Sequence, residues 1–265
     1  MRRLIVTDLD STIIFNRGVS PADREAMGRW RAAGNLLAVD TGKSIFATRG
    51  VLEPAGVRFD YGIVFTGAVL IDGDYQVLAA RYLPDGVARA VAEDTADLPG
   101  VSTYATTITQ DYILSDNNGD VSSILQVFEP MTAAQMGEHR FIGVPLRVTD
   151  DFLRERIEIE AAERWGAGIE CHRNLEFLDI VPTGSSKGGG LAELLAGPLA
   201  ALRASEGLEV WTLGDSYNDV SMHALADHPI TLPWAPPEVS QACERVVGSM
   251  AELIDGLLRQ GPQTS

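Results

Sequence analysis

Two groups of aspartates follow short apolar runs near opposite ends of the chain. Asp8 and Asp10 come after the run at residues 4–6, and Asp215 and Asp219 come after a second such run. Carboxylates are costly to bring together unless a positive charge holds them, and Mg²⁺, which prefers oxygen ligands, is the simplest candidate. Because Asp8 and Asp10 are two residues apart in an extended segment, both can face one reacting group, one as a nucleophile and the other as an acid or base.

Strand and helix signals alternate over the first part of the chain. Apolar runs at residues 4–7, 36–39 and 61–65 are separated by helical segments, the first of which begins after Ser20 with Pro21 at its first position. This order predicts an α/β fold with a doubly wound, mostly parallel, Rossmann-like sheet and right-handed crossovers.

Ligands of an open α/β sheet bind beyond the carboxyl ends of its strands. Several polar residues come just after predicted strands, namely Asp8, Asp10, Thr41, Thr66 and Asp215. Lys187 begins a predicted helix at residues 187–202 after a Gly/Ser-rich loop, so it can approach the same crevice. Carboxylates, a hydroxyl and a lysine together suit phosphoryl transfer, in which catalysis is mainly positioning and neutralisation of charge.

The pattern changes in the middle of the chain. Two strand-like segments rich in Thr, Val and Ile, at residues 102–112 and 122–127, accompany a charge-laced helix near residues 150–165. Loop-forming residues flank this region on both sides, which predicts an inserted α+β domain. The predicted domains are residues 1–83 with 184–265, as the catalytic core, and residues 84–183, as the insert.

Composition narrows the class of partner. The net charge of −16, without a long Lys/Arg block, argues against nucleic-acid binding. No apolar stretch is long enough to span a membrane. Cys171 and Cys243 are too few and too isolated for a zinc site or a disulfide framework, which favours reduced thiols in a cytoplasmic protein. We expect a monomer or a small homo-oligomer with a small phosphorylated molecule as its partner.

Four short motifs occur in an order that resembles one known family. They are Asp8-Leu9-Asp10-Ser11-Thr12, Thr41-Gly42, Lys187, and Gly214-Asp215-Ser216-Tyr217-Asn218-Asp219. Together they resemble the haloacid dehalogenase-like (HAD) superfamily of phosphohydrolases over essentially the whole chain. The large insert after the second motif is similar to the cap of the Cof-type branch, whose members mostly hydrolyse sugar phosphates and related metabolites.

The resemblance implies a role for each motif. Asp8 would form an aspartyl-phosphate, Asp10 would serve as acid and then base, Thr41 would bind the phosphoryl group, and Lys187 would pair with the nucleophile and the phosphate. The resemblance implies Mg²⁺ as cofactor, with the metal-binding set Asp8, Asp10 (through its backbone carbonyl), Asp215 and Asp219. The implied phosphate- or substrate-binding set is Ser11, Gly42, Lys43, Thr66, Gly67 and Asn218. The insert would exclude water and select the substrate.

Three positions depart from the pattern of this branch. Ser11 stands where Gly is usual and makes the first motif look like that of phosphoserine phosphatases. Those enzymes carry their cap between the first two motifs, and only about thirty residues separate Asp10 from Thr41 here. Lys43 stands where Arg is common and lacks the planar fork of a guanidinium. Thr66 stands where Asn is usual.

Each motif also has an interpretation without catalysis. Asp8 and Asp10 could form a turn, and Asp215 and Asp219 could be acids that favour a helix dipole. Thr41 could be an ordinary turn residue, and Lys187 could be a solvated surface lysine. The segment at residues 234–237 could be a packed loop or could border the site.

These motifs predict a Mg²⁺-dependent phosphomonoester hydrolase acting on a sugar or polyol phosphate. The alternatives are a phosphomutase on the same fold and a non-catalytic metabolite-binding regulatory protein. Dehalogenation is disfavoured because a halide leaving group needs no proton from Asp10.

Overall fold

The computed structural model describes residues 1–16, 18–118, 128–174 and 176–260. These residues form two compact units. The first unit takes in Met1–Lys43, Thr48–Ala79 and the described residues from Ser186 onward, and the second takes in Ser44–Ala47 and Ala80–Ser185. Across the described ranges, every helix is too short or too polar to cross a bilayer.

Strands and helices alternate along much of the described chain. The strands are β1 (Arg2–Thr7), β2 (Ile14–Phe15), β3 (Gly18–Val19), β4 (Leu36–Asp40), β5 (Tyr61–Val64), β6 (Val69–Asp72), β7 (Val77–Ala80), β8 (Val101–Thr106), β9 (Asp111–Asp116), β10 (Glu129–Pro130), β11 (Val144–Val148), β12 (Ile169–Asn174), β13 (Phe177–Pro182), β14 (Leu208–Leu213), β15 (His228–Thr231) and β16 (Arg245–Val246). The α-helices are α1 (Pro21–Ala32), α2 (Ile45–Ala55), α3 (Val87–Thr95), α4 (Asp151–Trp165), α5 (Lys187–Ala196), α6 (Ala200–Glu206), α7 (Val220–His223), α8 (Pro237–Gln241) and α9 (Met250–Gln260), with 3₁₀ turns at Gln135–Glu138 and Tyr217–Asp219.

The first unit is built on an eight-stranded sheet in the order β16-β15-β14-β1-β4-β5-β6-β7. The pairs from β16 to β5 are parallel, and β5 pairs with β6 antiparallel. The predicted α/β fold with a mostly parallel sheet is therefore confirmed. Since β14, β1, β4 and β5 are neighbours and parallel, the residues that follow them meet at one edge of the sheet.

Helix α5 packs closely on this sheet and so brings its first residue to that edge. Leu191 and Leu194 lie in one buried cluster with Val6 and Ala38. A Cβ at Gly190 would lie 2.3 Å from Cγ2 of Ile63, so only glycine permits this approach. Burial of these apolar side chains stabilises the contact by about 25 cal/mol for each Å² of apolar surface removed from water.

The second unit contains a six-stranded sheet in the order β10-β9-β8-β11-β13-β12. Its pairs are antiparallel except for the parallel pair of β9 and β10. Residues of α3 and α4, such as Val91 and Ile157, share a buried cluster with Leu146 and Ile180 of the sheet. This is an α+β arrangement with its own core, as expected for the insert of the predicted fold class.

Two segments differ from their predicted structure. Residues 102–112 were predicted as one strand but form β8, a turn and β9, because Thr107 Oγ1 accepts hydrogen bonds from the backbone of Thr109 and Gln110 and turns the chain. The helix predicted at residues 187–202 is interrupted between α5 and α6 by Gly197 and Pro198, which favour a helix end. The strand predicted at residues 122–127 lies outside the described residues.

Candidate active site

A buried lysine lies between two carboxylates at the edge where the parallel strands end. Lys187 Nζ is 2.6 Å from Asp8 Oδ1 and 2.5 Å from Asp219 Oδ1, and all three side chains are almost fully buried. Asp8 directly follows β1, and its N–H donates to Leu213 O at the end of β14. Lys187 is the first residue of α5, whose N-cap Ser186 accepts a hydrogen bond from Gly189 N. Strand ends and a capped helix therefore fix the three charges.

A threonine hydroxyl joins the two aspartate groups. Thr12 Oγ1 lies 3.1 Å from Asp8 Oδ2 and 2.9 Å from Asp215 Oδ1. A hydroxyl carries one proton, so Thr12 donates to one carboxylate at a time or shares the proton between them. Asp219 is held differently, because its second oxygen accepts from Ser216 N at 2.8 Å in a capping box. Asp219 is thus both a helix-start acid and a partner of Lys187.

Burial and crowding of like charge set the electrostatics of this cluster. Burial raises the pKa of Asp8 to about 7, with Lys187 lowering it and Asp219 raising it further. Burial also raises the pKa of Asp215, and the hydrogen bond from Thr12 acts in the opposite direction. Burial alone would lower the pKa of Lys187, but Asp219, Asp8 and Asp40 together raise it above its ordinary value. The lysine therefore stays charged at neutral pH.

The cluster fits a hard divalent cation. Asp8, Asp215 and Asp219 each offer one carboxylate oxygen, and these oxygens lie within 4.8 Å of one another. Lys187 supplies one positive charge to these three carboxylates, which leaves an excess of buried negative charge when they are ionised. Oxygen donors and this charge excess match the preference of Mg²⁺. Both oxygens of Asp8 and both of Asp219 already accept hydrogen bonds, so a cation would share these two carboxylates with their present donors.

Asp10 occupies a more open position than Asp8. Its side chain is 61% exposed and pairs with the ammonium of Lys43, which is itself 18% exposed. Asp10 therefore stands outside the group of three carboxylates that could hold a metal through their side chains. Ser11, the next residue, is exposed and has a left-handed backbone with φ 58°.

The loops after β4 and β5 are hydrogen-bonded to each other. Thr66 N donates to Thr41 O at 3.1 Å, and Lys43 N donates to Thr41 Oγ1 at 3.2 Å beside Gly42. Thr66 has a left-handed backbone with φ 53°, which is rare for a β-branched residue. Gly67 follows with φ 82°, and a Cβ there would lie 2.0 Å from the carbonyl oxygen before Lys187. The structure thus brings the second-motif residues and Thr66-Gly67 into one loop pair.

Asn218 lies further out on the surface. Its side chain is exposed, while its carbonyl accepts from Ser221 Oγ at 3.1 Å. Ser221 Oγ in turn accepts from Gly188 N at 3.0 Å, which ties the fourth-motif loop to the start of α5. Asn218 thus reaches the lysine helix through its backbone.

Two residues of this region were absent from the predicted set. Thr12 was assigned no role although it is the last residue of the first motif. Asp40, the last residue of β4, is fully buried, and neither of its carboxyl oxygens has a hydrogen-bond partner among the described residues. Burial raises its pKa well above the ordinary range, against the lowering effect of Lys187. The sequence does contain a signal for the position of Asp40. Side chains two residues apart on a strand point to the same face, which places Asp40 on the face of Ala38 and α5.

Comparisons with known proteins find relatives that match along nearly the whole chain. The 5-amino-6-(5-phospho-D-ribitylamino)uracil phosphatase of Bacillus subtilis (strain 168) is 23% identical, with 97% of this chain and 98% of the relative aligned. A haloacid dehalogenase-like hydrolase from Bacteroides thetaiotaomicron has the same fold, with a TM-score of 0.82 at 20% identity over 97% of this chain and 100% of that one. A sugar phosphatase of subclass IIB of the superfamily has a TM-score of 0.77 at 19% identity over 98% and 99% of the two chains.

A family model settles the membership. The model described as haloacid dehalogenase-like hydrolase matches residues 5–260, which is nearly the whole chain. The resemblance carried by the four motifs is thereby confirmed, and so is the prediction of a phosphatase-type enzyme at the level of the family. The chain belongs to the haloacid dehalogenase-like hydrolases.

Proposed function

We propose that this protein is a Mg²⁺-dependent phosphomonoester hydrolase that acts on a sugar or polyol phosphate through an aspartyl-phosphate at Asp8. The observation that carries the proposal is the buried contact of Lys187 with Asp8 and Asp219, beside the Thr12 hydroxyl that joins Asp8 to Asp215. A nucleophilic carboxylate must be held still and its ionised form favoured beside an anionic substrate, and a buried ammonium contributes to both because it contacts Asp8 and lowers its pKa.

The reaction has two steps, and Asp10 serves both. In the first step a bond forms between the Asp8 carboxylate and phosphorus, and the bond from phosphorus to the leaving oxygen breaks. Asp10 gives that oxygen its proton. In the second step Asp10 takes a proton from water, whose oxygen attacks phosphorus and frees Asp8 and inorganic phosphate. The exposure of Asp10 supports this role, since it must reach both an alcohol and a water molecule.

The remaining residues bind and neutralise the phosphoryl group. Thr41 and the Thr66-Gly67 loop are proposed to offer hydrogen-bond donors, and Lys43 is proposed to contact the phosphate. Asp8 and Asp215, with Asp219 beside them, would hold the Mg²⁺, and the backbone carbonyl of Asp10 is proposed as a further ligand. When bound, the cation neutralises negative charge on the phosphoryl oxygens.

The proposed substrate class rests on two of the relatives. One relative is named for a phosphorylated ribityl compound and another is a sugar phosphatase, so both act on phosphates of polyhydroxylated chains. We propose that residues 84–183 act as a cap that selects among such substrates. A separate core in the second unit supports a distinct role for it.

The test is phosphate release from a panel of sugar, polyol, nucleotide and amino-acid phosphates, with Mg²⁺ and with excess chelator. Metal-dependent release from sugar or polyol phosphates, and its loss in Asp8→Asn but not in the exposed control Asp74→Asn, is the expected result. Release that survives the chelator would overturn the metal dependence. Isomerisation of a hexose 1-phosphate without net release would replace the hydrolase by a mutase.

A further inference from the structure

An exposed tryptophan is attached to the loop that carries the first motif. Trp234, in the segment after β15, donates its indole N–H to Ser11 O at 2.9 Å. Its ring meets the ring of Phe15 edge-on, with centroids 5.5 Å apart. Trp234 is 47% exposed, so burial of its ring alone does not explain a tryptophan here.

The hydrogen-bonded carbonyl belongs to a sensitive peptide. Ser11 has a left-handed backbone, which costs free energy for a residue with a Cβ and needs support from its surroundings. The peptide between Ser11 and Thr12 is held at both ends, because Thr12 N donates to Leu9 O at 3.3 Å and Trp234 donates to Ser11 O. The orientation of this peptide sets where the side chain of Thr12 begins.

Thr12 connects the orientation of this peptide to the carboxylates of Asp8 and Asp215. Its hydroxyl lies within hydrogen-bond distance of both Asp8 and Asp215. A rotation of the peptide before it would move the hydroxyl away from one carboxylate or both. A shift of this kind is enough to reduce catalysis, since carboxylate nucleophiles and metal ligands depend on fixed geometry.

We propose that Trp234 is a positioning residue: its indole N–H fixes the Ser11–Thr12 peptide and thereby the hydroxyl that joins Asp8 to Asp215. This inference rests on the proposed function for its effect on turnover. Its effect on cation binding does not require that function, because Asp215 and Asp8 form the candidate metal site by geometry alone.

Two substitutions at position 234 and one control separate the N–H from the ring. Trp234→Phe keeps an aromatic ring and removes the donor. Replacement of Trp234 by 3-benzothienylalanine keeps the shape of the indole and puts sulfur in place of the N–H. Phe15→Leu removes the edge-on aromatic contact and leaves the donor in place. A thermal melt of each variant establishes that it is folded.

The first readout is Mg²⁺ binding by calorimetry, and the second is turnover of p-nitrophenyl phosphate at saturating Mg²⁺. We expect both position-234 variants to bind Mg²⁺ about five- to tenfold more weakly, the effect of one lost hydrogen bond. We expect kcat to fall about tenfold with KM changed less than about threefold, because the donor orients groups that act in the transition state. Phe15→Leu should stay within about twofold of the unmodified protein in both readouts.

The inference is overturned if the benzothienyl variant keeps the Mg²⁺ affinity and the kcat of the unmodified protein. It is also overturned if Phe15→Leu loses as much Mg²⁺ affinity and kcat as Trp234→Phe. If Trp234→Phe does not fold, the benzothienyl variant decides alone. Absence of phosphate release by the unmodified protein would count against the proposed function, while the Mg²⁺ affinities would still decide the role of Trp234.

Discussion

Removal of the buried lysine should destabilise the protein in a way that depends on pH. Lys187 contacts Asp8 and Asp219 at 2.6 and 2.5 Å, with side-chain exposures of 1%, 8% and 0% for the three residues. Breaking a buried ion pair from one side costs about 3–5 kcal/mol, because the partner charge is left unpaired. Lys187→Met should therefore lower the free energy of unfolding by about this amount at pH 8 in chelator.

The loss should be smaller at pH 5. Without the ammonium, nothing opposes the effect of burial and of the Asp219 charge on Asp8, so the pKa of Asp8 rises further and the folded state takes up protons as the pH falls. A folded state that binds more protons than the unfolded state gains stability toward low pH. The difference in free energy of unfolding between Lys187→Met and the unmodified protein should thus widen from pH 5 to pH 8.

Urea unfolding at the two pH values measures both effects. The matched control is Lys43→Met, which removes another lysine–aspartate pair, but one whose partner Asp10 is 61% exposed. An exposed pair contributes about 0–1 kcal/mol, so this control should unfold almost as the unmodified protein does. Equal losses in the two variants, or a Lys187→Met loss that does not change with pH, would refute the account of the buried cluster.

Three further predictions follow from the same geometry. Asp40→Asn should be more stable than the unmodified protein at pH 8 in chelator, because the raised pKa of this buried acid makes its ionisation costly. The gain in stability should vanish as the pH falls toward the ordinary pKa of an aspartate. Urea unfolding midpoints measured across pH test this, and a gain that does not change with pH would contradict it. Thr12→Val should weaken Mg²⁺ binding about fivefold in calorimetry, since Asp8 and Asp215 lose a shared donor, whereas unchanged binding would remove Thr12 from the site. Lys43→Met should lower kcat/KM about tenfold in steady-state kinetics, whereas Lys43→Arg should retain most of it because the positive charge is kept. Equal losses in the two variants would mean that a positive charge at position 43 is not sufficient for activity.

The core of the site could be predicted because local rules place it. Parallel strands end at one edge, so Asp8 and Asp215 had to meet once their strands were identified. Lys187 follows a capping serine at a helix start, which is also a local signal. The four-motif order then supplied the family, which the match over residues 5–260 confirms.

The missed features depend on tertiary contacts. Nothing in the neighbourhood of Trp234 in the sequence indicates that its indole reaches Ser11, a residue 223 positions away. Asp40 lies just beyond the apolar run at residues 36–39, and only the sheet reveals that its carboxyl is buried without a hydrogen-bond partner among the described residues. The interruption of the helix after α5 is a different kind of miss, because Gly197 and Pro198 were a sufficient local signal.

The central claim is that Asp8 is the nucleophile, and trapping its phosphorylated form tests this most directly. The protein would be mixed with the best substrate of the panel and Mg²⁺, quenched in acid and reduced with borohydride, which converts an aspartyl-phosphate to homoserine. Peptide mass spectrometry should find homoserine at position 8, and none in the Asp8→Asn variant. Homoserine at another aspartate, or rapid phosphate release with no reduced residue at any stage, would contradict the assignment.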